Sequence, residues 1–143
     1  MFGKRLHYLI KVLMFFSFTE KKSLSTREIS KRLNVSEKVL EQVLLLLKNK
    51  DVLISKRGPG GGYRLSESVS DMTIMDIIDL TGQKMRIFPK NEDTRERVID
   101  KVIQNEWDNI EKEIKLKLCT VRISDLVSSM REETSMEELN YTI

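Results

Sequence analysis

The chain has 143 residues, of which 40% are apolar and 33% charged, enough for one compact domain or one domain with an appendage. A single cysteine excludes a disulfide framework and the cysteine-rich zinc modules and fits a reducing cytoplasm; a single histidine, His7, argues against histidine-based metal or triad chemistry. The net charge of +3 conceals a division: residues 1–64 carry 14 Lys and Arg against 5 acids, and the remainder 11 against 17, the asymmetry expected when one part faces a polyanion and the other faces protein or water.

The first element predicted is a helix from about Lys4 to Phe18. Its run from Tyr8 to Phe18 imitates the apolar core of a signal peptide. Lys11 interrupts that run, no small-residue cleavage site follows, and the run is about half of the roughly 20 residues a membrane span needs. A helix buried on two sides is the better reading, with no membrane as partner. Ser25-Thr26-Arg27-Glu28 has the form of a capping box and opens a short helix with Ile29 and Leu33 facing inward. After a tight break at Asn34-Val35, Ser36 caps a helix from Glu37 to about Asn49. Val39, Leu40, Val43, Leu44, Leu46 and Leu47 form its apolar stripe, and Glu37, Lys38, Glu41, Gln42, Leu45 and Lys48 lie nearer the outside.

Two short helices across a three-residue break make a helix-turn-helix pattern. Val52–Ser55 and Tyr63–Leu65 then read as two strands around a glycine-rich turn, the hairpin of a winged helix. Thr73 caps a further helix in which Ile74, Ile77, Ile78 and Leu80 close the core, with Gly82 as its stop. The expected class is mainly α with a small β-hairpin wing, and the DNA-binding domain is expected to span residues 1–82.

A polar connector over 83–92 leads to a long helix from about Asp93 to Leu118. Ile99, Ile103, Trp107, Ile110, Ile114, Leu118 and Val121 recur at intervals of three and four residues, the seam of helix-on-helix pairing. Roughly 26 residues make a rod of about 39 Å, longer than so small a domain can cover, so a two-fold dimer through this seam is expected. Ile123, Leu126 and Val127 mark a short closing helix, and residues 131–143 read as a polar, frayed tail.

The glycine cluster fails as a phosphate loop because Gly62 leads into Tyr63-Arg64 rather than Lys-Ser or Lys-Thr, and its spacing is wrong for a dinucleotide site. No catalytic constellation can be assembled from so few nucleophiles and bases, so an enzyme is not expected. Two readings of the basic half remain: a solvated face on a protein-docking winged helix, or a surface for duplex DNA. On the second, Ser36, Lys38, Glu41 and Gln42 read base edges in the major groove. Lys4, Arg5, Lys21, Lys22, Lys56, Arg57 and Arg64 neutralise phosphates, and Gly60 and Gly61 let the wing approach the sugar–phosphate chain.

The segment Val35 to Leu44, with Glu41-Gln42, followed by Ser55-Lys56-Arg57-Gly58-Pro59-Gly60-Gly61-Gly62-Tyr63-Arg64-Leu65, closely resembles the Rrf2 (BadM-like) family of bacterial transcription regulators. Tyr8, Trp107 and Ile123-Ser124-Asp125-Leu126 extend the likeness over nearly the whole chain. The resemblance implies a homodimeric winged-helix repressor or activator in which Glu41, Gln42 and Arg57 meet a palindromic operator. Asp51 departs from the pattern where the family usually has glycine, though aspartate tolerates a left-handed cap better than most residues.

Many members hold an iron–sulfur cluster with three cysteines between winged helix and long helix. Residues 83–96 contain no cysteine here, and Cys119 lies at the far end of the long helix. The chain therefore resembles the cluster-free branch, similar to the cysteine-metabolism repressors, which implies no cofactor, no metal and response through a partner protein or a thiol. Cys119 is the candidate redox group, weighed against a small buried hydrophobe. A repressor with a ligand pocket between winged helix and dimer helix is a further alternative.

Overall fold

The structure is a computed structural model that describes residues 3–19, 23–67, 69–90, 92 and 97–142, with backbone alone from 138 onward. Six helices and one hairpin follow in the order α1 (Lys4–Phe18), α2 (Thr26–Leu33), α3 (Glu37–Asn49), β1 (Leu53–Lys56), β2 (Gly62–Leu65), α4 (Ile74–Leu80), α5 (Val98–Leu118) and α6 (Ile123–Thr142). No helix among the described residues is long and apolar enough to cross a membrane.

The helix ends follow from local chemistry. Ser25 Oγ accepts the Glu28 N–H at 3.2 Å to start α2, and Ser36 Oγ accepts the Val39 N–H at 3.4 Å to start α3. Thr73 and Asp76 form a reciprocal capping box on α4, at 2.8 and 3.1 Å. Asn34 ends α2 in the left-handed region (φ 52°), and Ser30 Oγ donates to the Val35 carbonyl at 2.7 Å, fixing the turn into α3. At the other end of α3 the Val52 N–H reaches the Leu47 carbonyl at 2.9 Å and the Asp51 N–H reaches Lys48 at 3.0 Å, a Schellman stop with Asp51 at φ 58°. The aspartate thus occupies the left-handed position where the related pattern has glycine.

One core joins the elements. Leu9, Val12, Leu13 and Phe16 of α1, Ile29 of α2, Leu40, Val43, Leu44 and Leu47 of α3, and Val52 and Leu53 are all buried in it. Strand β1 pairs antiparallel with β2, Leu53 opposite Leu65 and Lys56 opposite Gly62. The hairpin is fastened at its base by Leu24, whose N–H donates to the Tyr63 carbonyl at 3.1 Å and whose carbonyl accepts from Tyr63 at 2.9 Å. Gly62 permits that approach, because a Cβ there would stand 2.4 Å from the Leu24 carbonyl oxygen.

Two expectations are revised. The core is not closed by residue 82, since Ile123 and Val127 of α6 are buried in it beside α1. Backbone bonds from Ile74 to the Val121 carbonyl and from Ile123 to the Met72 carbonyl, both 2.9 Å, clip the start of α6 to the start of α4. Second, α6 is a 20-residue helix that continues through the segment read as a frayed tail. Helix α5 runs from Val98, with Arg97 as its N-cap; the expected start at Asp93 lies outside the described residues.

The connector is held against α5 rather than free. Glu111 Oε1 accepts the Ile87 and Phe88 N–H groups at 2.7 and 3.0 Å, the Phe88 ring stacks on Trp107 at 4.3 Å, and Met85 is buried. Those two backbone bonds hold the Glu111 carboxyl below its ordinary pKa of 4.5, assisted by Arg86 and Lys115.

Replacing Asp51 by Val should lower unfolding stability by about 1–2 kcal/mol, the cost of forcing a β-branched residue into the left-handed region, while Asp51→Gly should not lower it; urea titration of the three proteins checks this. Because its pKa is lowered on folding, Glu111 adds stability above its unfolded value of 4.5, and the contribution disappears as pH falls through the folded value. Melting curves of Glu111→Gln should therefore show a shallower loss of stability below that pH than those of the native chain.

Candidate nucleic-acid interface

Burial of Leu40, Val43, Leu44 and Leu47 on one side of α3 leaves Lys38, Glu41, Gln42 and Leu45 exposed on the other. Their spacing of three, four and seven residues from Lys38 puts them on one face over two turns. Leu45, 56% exposed, is an apolar member of that face that the readout expectation omitted, although the helical spacing places it there. Among the described residues, Lys38, Glu41 and Gln42 are not paired with any other side chain. Ser36 is exposed too, but its oxygen is engaged as the α3 cap.

Arg5 and Tyr8 of α1 lie beside Val39, Gln42 and Val43 around a small hollow of about 150 Å³, so the first turn of α1 flanks the outer face of α3. Lys4 and Arg5 are exposed. Lys21 and Lys22 lie outside the described residues. On the wing, Lys56, Arg57 and Arg64 are exposed and, among the described residues, without an ion pair. Gly60 has open space where a Cβ would stand and a φ of 72°, whereas Gly61 is closed in by its own loop, 2.4 Å from the Lys56 carbonyl oxygen. Gly61 therefore serves the turn, and Gly60 offers the open backbone. The wing springs from the end of α3 through β1 and is tied to Leu24 at its base.

The proposed dimer seam divides into two parts. Ile99 and Ile103 are exposed, together with Val98 and Val102 at 80% and 63%. Trp107, Ile110, Ile114 and Leu118 are half-buried within the chain, with Phe88 lying on the Trp107 ring. Val98 and Val102 escaped the sequence reading because they lie beside the three-four repeat rather than on it. Between α4, the connector and α5, a cavity of about 400 Å³ is bordered by Met75, Asp79, Met85 and Lys115. Cys119 is exposed at the C-cap of α5, which corrects the reading of it as a buried hydrophobe.

Residues 2–129 match the family model described as Rrf2, iron-dependent transcriptional regulator. In sequence, the chain is similar to the HTH-type transcriptional regulator IscR of Vibrio atlanticus, 37% identical over 60 residues, 42% of this chain and 35% of that one. It spans 38% of the length of the Azotobacter vinelandii relative ORF2 but 95% of the Synechocystis relative slr0846. In structure, it is similar to CymR, the global cysteine regulator of B. subtilis, with TM-score 0.74, 23% identity, and 90% and 97% of the two chains covered. It is likewise similar to T. potens IscR, with TM-score 0.72, 22% identity, and 93% and 90% covered.

The donor set of this chain does not fit the iron–sulfur centre that an iron-dependent regulator would hold. Such a cluster takes several cysteine ligands; the full sequence has one cysteine and one histidine. Among the described residues no three His, Cys, Asp or Glu side chains converge as a metal site. The family match covers the winged helix, the connector, α5 and the first turns of α6, and the chain belongs to the Rrf2 family of helix-turn-helix transcriptional regulators.

Proposed function

We propose that the protein is a sequence-specific DNA-binding repressor that acts in the cytoplasm as a homodimer on a palindromic operator, without an iron–sulfur cluster. The observation that carries this reading is the outer face of α3: polar side chains, unpaired with other side chains among the described residues, on a helix whose opposite side is buried in the core. Lys38 and Gln42 donate to purine edges, Glu41 accepts from a cytosine amino group, and Leu45 can lie against a thymine methyl. Lys4, Arg5, Lys56, Arg57 and Arg64, with Lys21 and Lys22, contact phosphates and set the register. Ser36 holds the start of α3 and can donate its hydroxyl proton to the same groove.

The exposed apolar edge of Val98, Ile99, Val102 and Ile103 supports the homodimer, since two copies would cover it by pairing their α5 helices. The two α3 helices then address successive major grooves about 34 Å apart, or a multiple of that distance. Repression by occluding polymerase is the simplest outcome of such binding.

Selection and sequencing of bound genomic fragments tests the reading, and enrichment of an inverted repeat is the expected result. Glu41→Ala should relax base preference at one position of each half-site by about 1–3 kcal/mol, whereas Arg57→Ala should weaken binding to all sequences alike. No enriched motif would refute sequence-specific binding. Val102→Glu should convert the dimer into a monomer in sedimentation experiments at micromolar protein, and a variant that still dimerises would place the interface elsewhere.

A further inference from the structure

A groove of about 880 Å³ runs between α1, α2 and α6, away from the outer face of α3. Its floor is apolar, made by Met14, Phe15, Leu33 and Met130, and three cations border it: Lys11, Arg32 and Arg131. Among the described residues, no acidic side chain lines it. Its volume falls within the range of about 300–1,000 Å³ usual for small-molecule sites.

The cations are placed for a ligand rather than for one another. Lys11 Nζ donates one bond, 2.7 Å long, to the Leu33 carbonyl at the end of α2, and an ammonium group has two more donors. The Arg131 guanidinium lies over the Phe18 ring, 5.4 Å from its centre, an arrangement that engages its face and not its N–H edge. Arg32 is exposed. None of the three forms an ion pair among the described residues. Three like charges around an apolar trough repel one another, and a single anion relieves that repulsion. Arginine binds a carboxylate through two parallel N–H bonds, and the two methionines let the floor adapt to an apolar body of variable shape.

We propose that this groove binds an amphipathic carboxylate, its head between Lys11, Arg32 and Arg131 and its apolar body on Met14, Phe15, Leu33 and Met130. The ligand would join α6 to the last turn of α2, next to the Asn34 turn that sets the direction of α3. Any effect on operator affinity rests on the DNA reading above; binding in the groove does not.

Isothermal titration of the full-length protein with dodecanoate, dodecanol and dodecyltrimethylammonium tests the proposal. Dodecanoate should bind at one site per chain, the alcohol at least tenfold more weakly, and the ammonium compound not measurably. Arg32→Met and Arg131→Met replace exposed side chains, so both should keep the native melting temperature. Each should weaken dodecanoate binding about tenfold, the loss of one charge-assisted contact. The proposal is overturned if dodecanoate does not bind, if the three compounds bind alike, or if both variants bind dodecanoate with native affinity. Failure to bind because a second copy covers the groove counts in the same direction.

Discussion

The rotational setting of α3 is the constraint on which the molecule depends. Leu40, Val43, Leu44 and Leu47 are at most 2% exposed, and turning the helix about its axis would bring them into water and bury charged residues in their place. Truncating any one of these leucines to alanine would cost about 2–5 kcal/mol, a large share of the stability of a domain this size. Both ends of the helix are fixed as well, by the Asn34 turn and Ser36 cap before it and by the Schellman stop at Asp51 after it. With one face and both ends fixed, the direction of Lys38, Glu41, Gln42 and Leu45 is determined by packing. A helix that reads base edges needs that property, because it must present its side chains before DNA arrives.

The rest of the chain is organised around an excursion. It leaves the core after α4, runs through the connector and α5, and returns where Ile123 is clipped to Met72 and buried beside α1. The excursion is stiffened from within, as Glu111 receives two connector N–H groups and Phe88 covers Trp107. Four aliphatic side chains face outward on the first part of α5, and Leu116 does so near its end. Since α5 contacts α4, and Ile77 of α4 is buried in the same core as α3, a symmetric pairing through α5 would set the distance between two α3 helices.

Much of this was legible in the residues because short polar signals mark element ends. Ser25, Ser36, Thr73 and Gly82 each stand at a helix boundary, and the apolar spacing between them gave the inward faces of α2, α3 and α4. The connector clasp was not legible: Glu111 reads as one more charge on a charged helix, and only its position four residues after Trp107, inside the seam, hints at burial. The length of α6 was misjudged because Arg131 to Glu138 lacks an apolar stripe, yet that stretch contains neither glycine nor proline and is rich in strong helix formers. Residues 1–82 already carry a plausible core by pattern; that Ile123 and Val127 of α6 are buried in it is a long-range fact that local pattern does not encode. On the outer face of α3 and the wing, charged and polar side chains are exposed as their type suggests, but type alone could not separate Gly60, which is open, from Gly61, which the turn encloses.

Charge ties the account together, since the basic first half of the chain is assigned to a polyanion. The most direct test is the affinity of the purified protein for an operator-containing duplex as salt rises from 50 to 200 mM. A surface that meets about 6–10 phosphates loses affinity about 10³–10⁵-fold over that interval, and this is the result expected. An affinity that stays level across the interval would contradict the assignment and return the basic face to a role in docking protein.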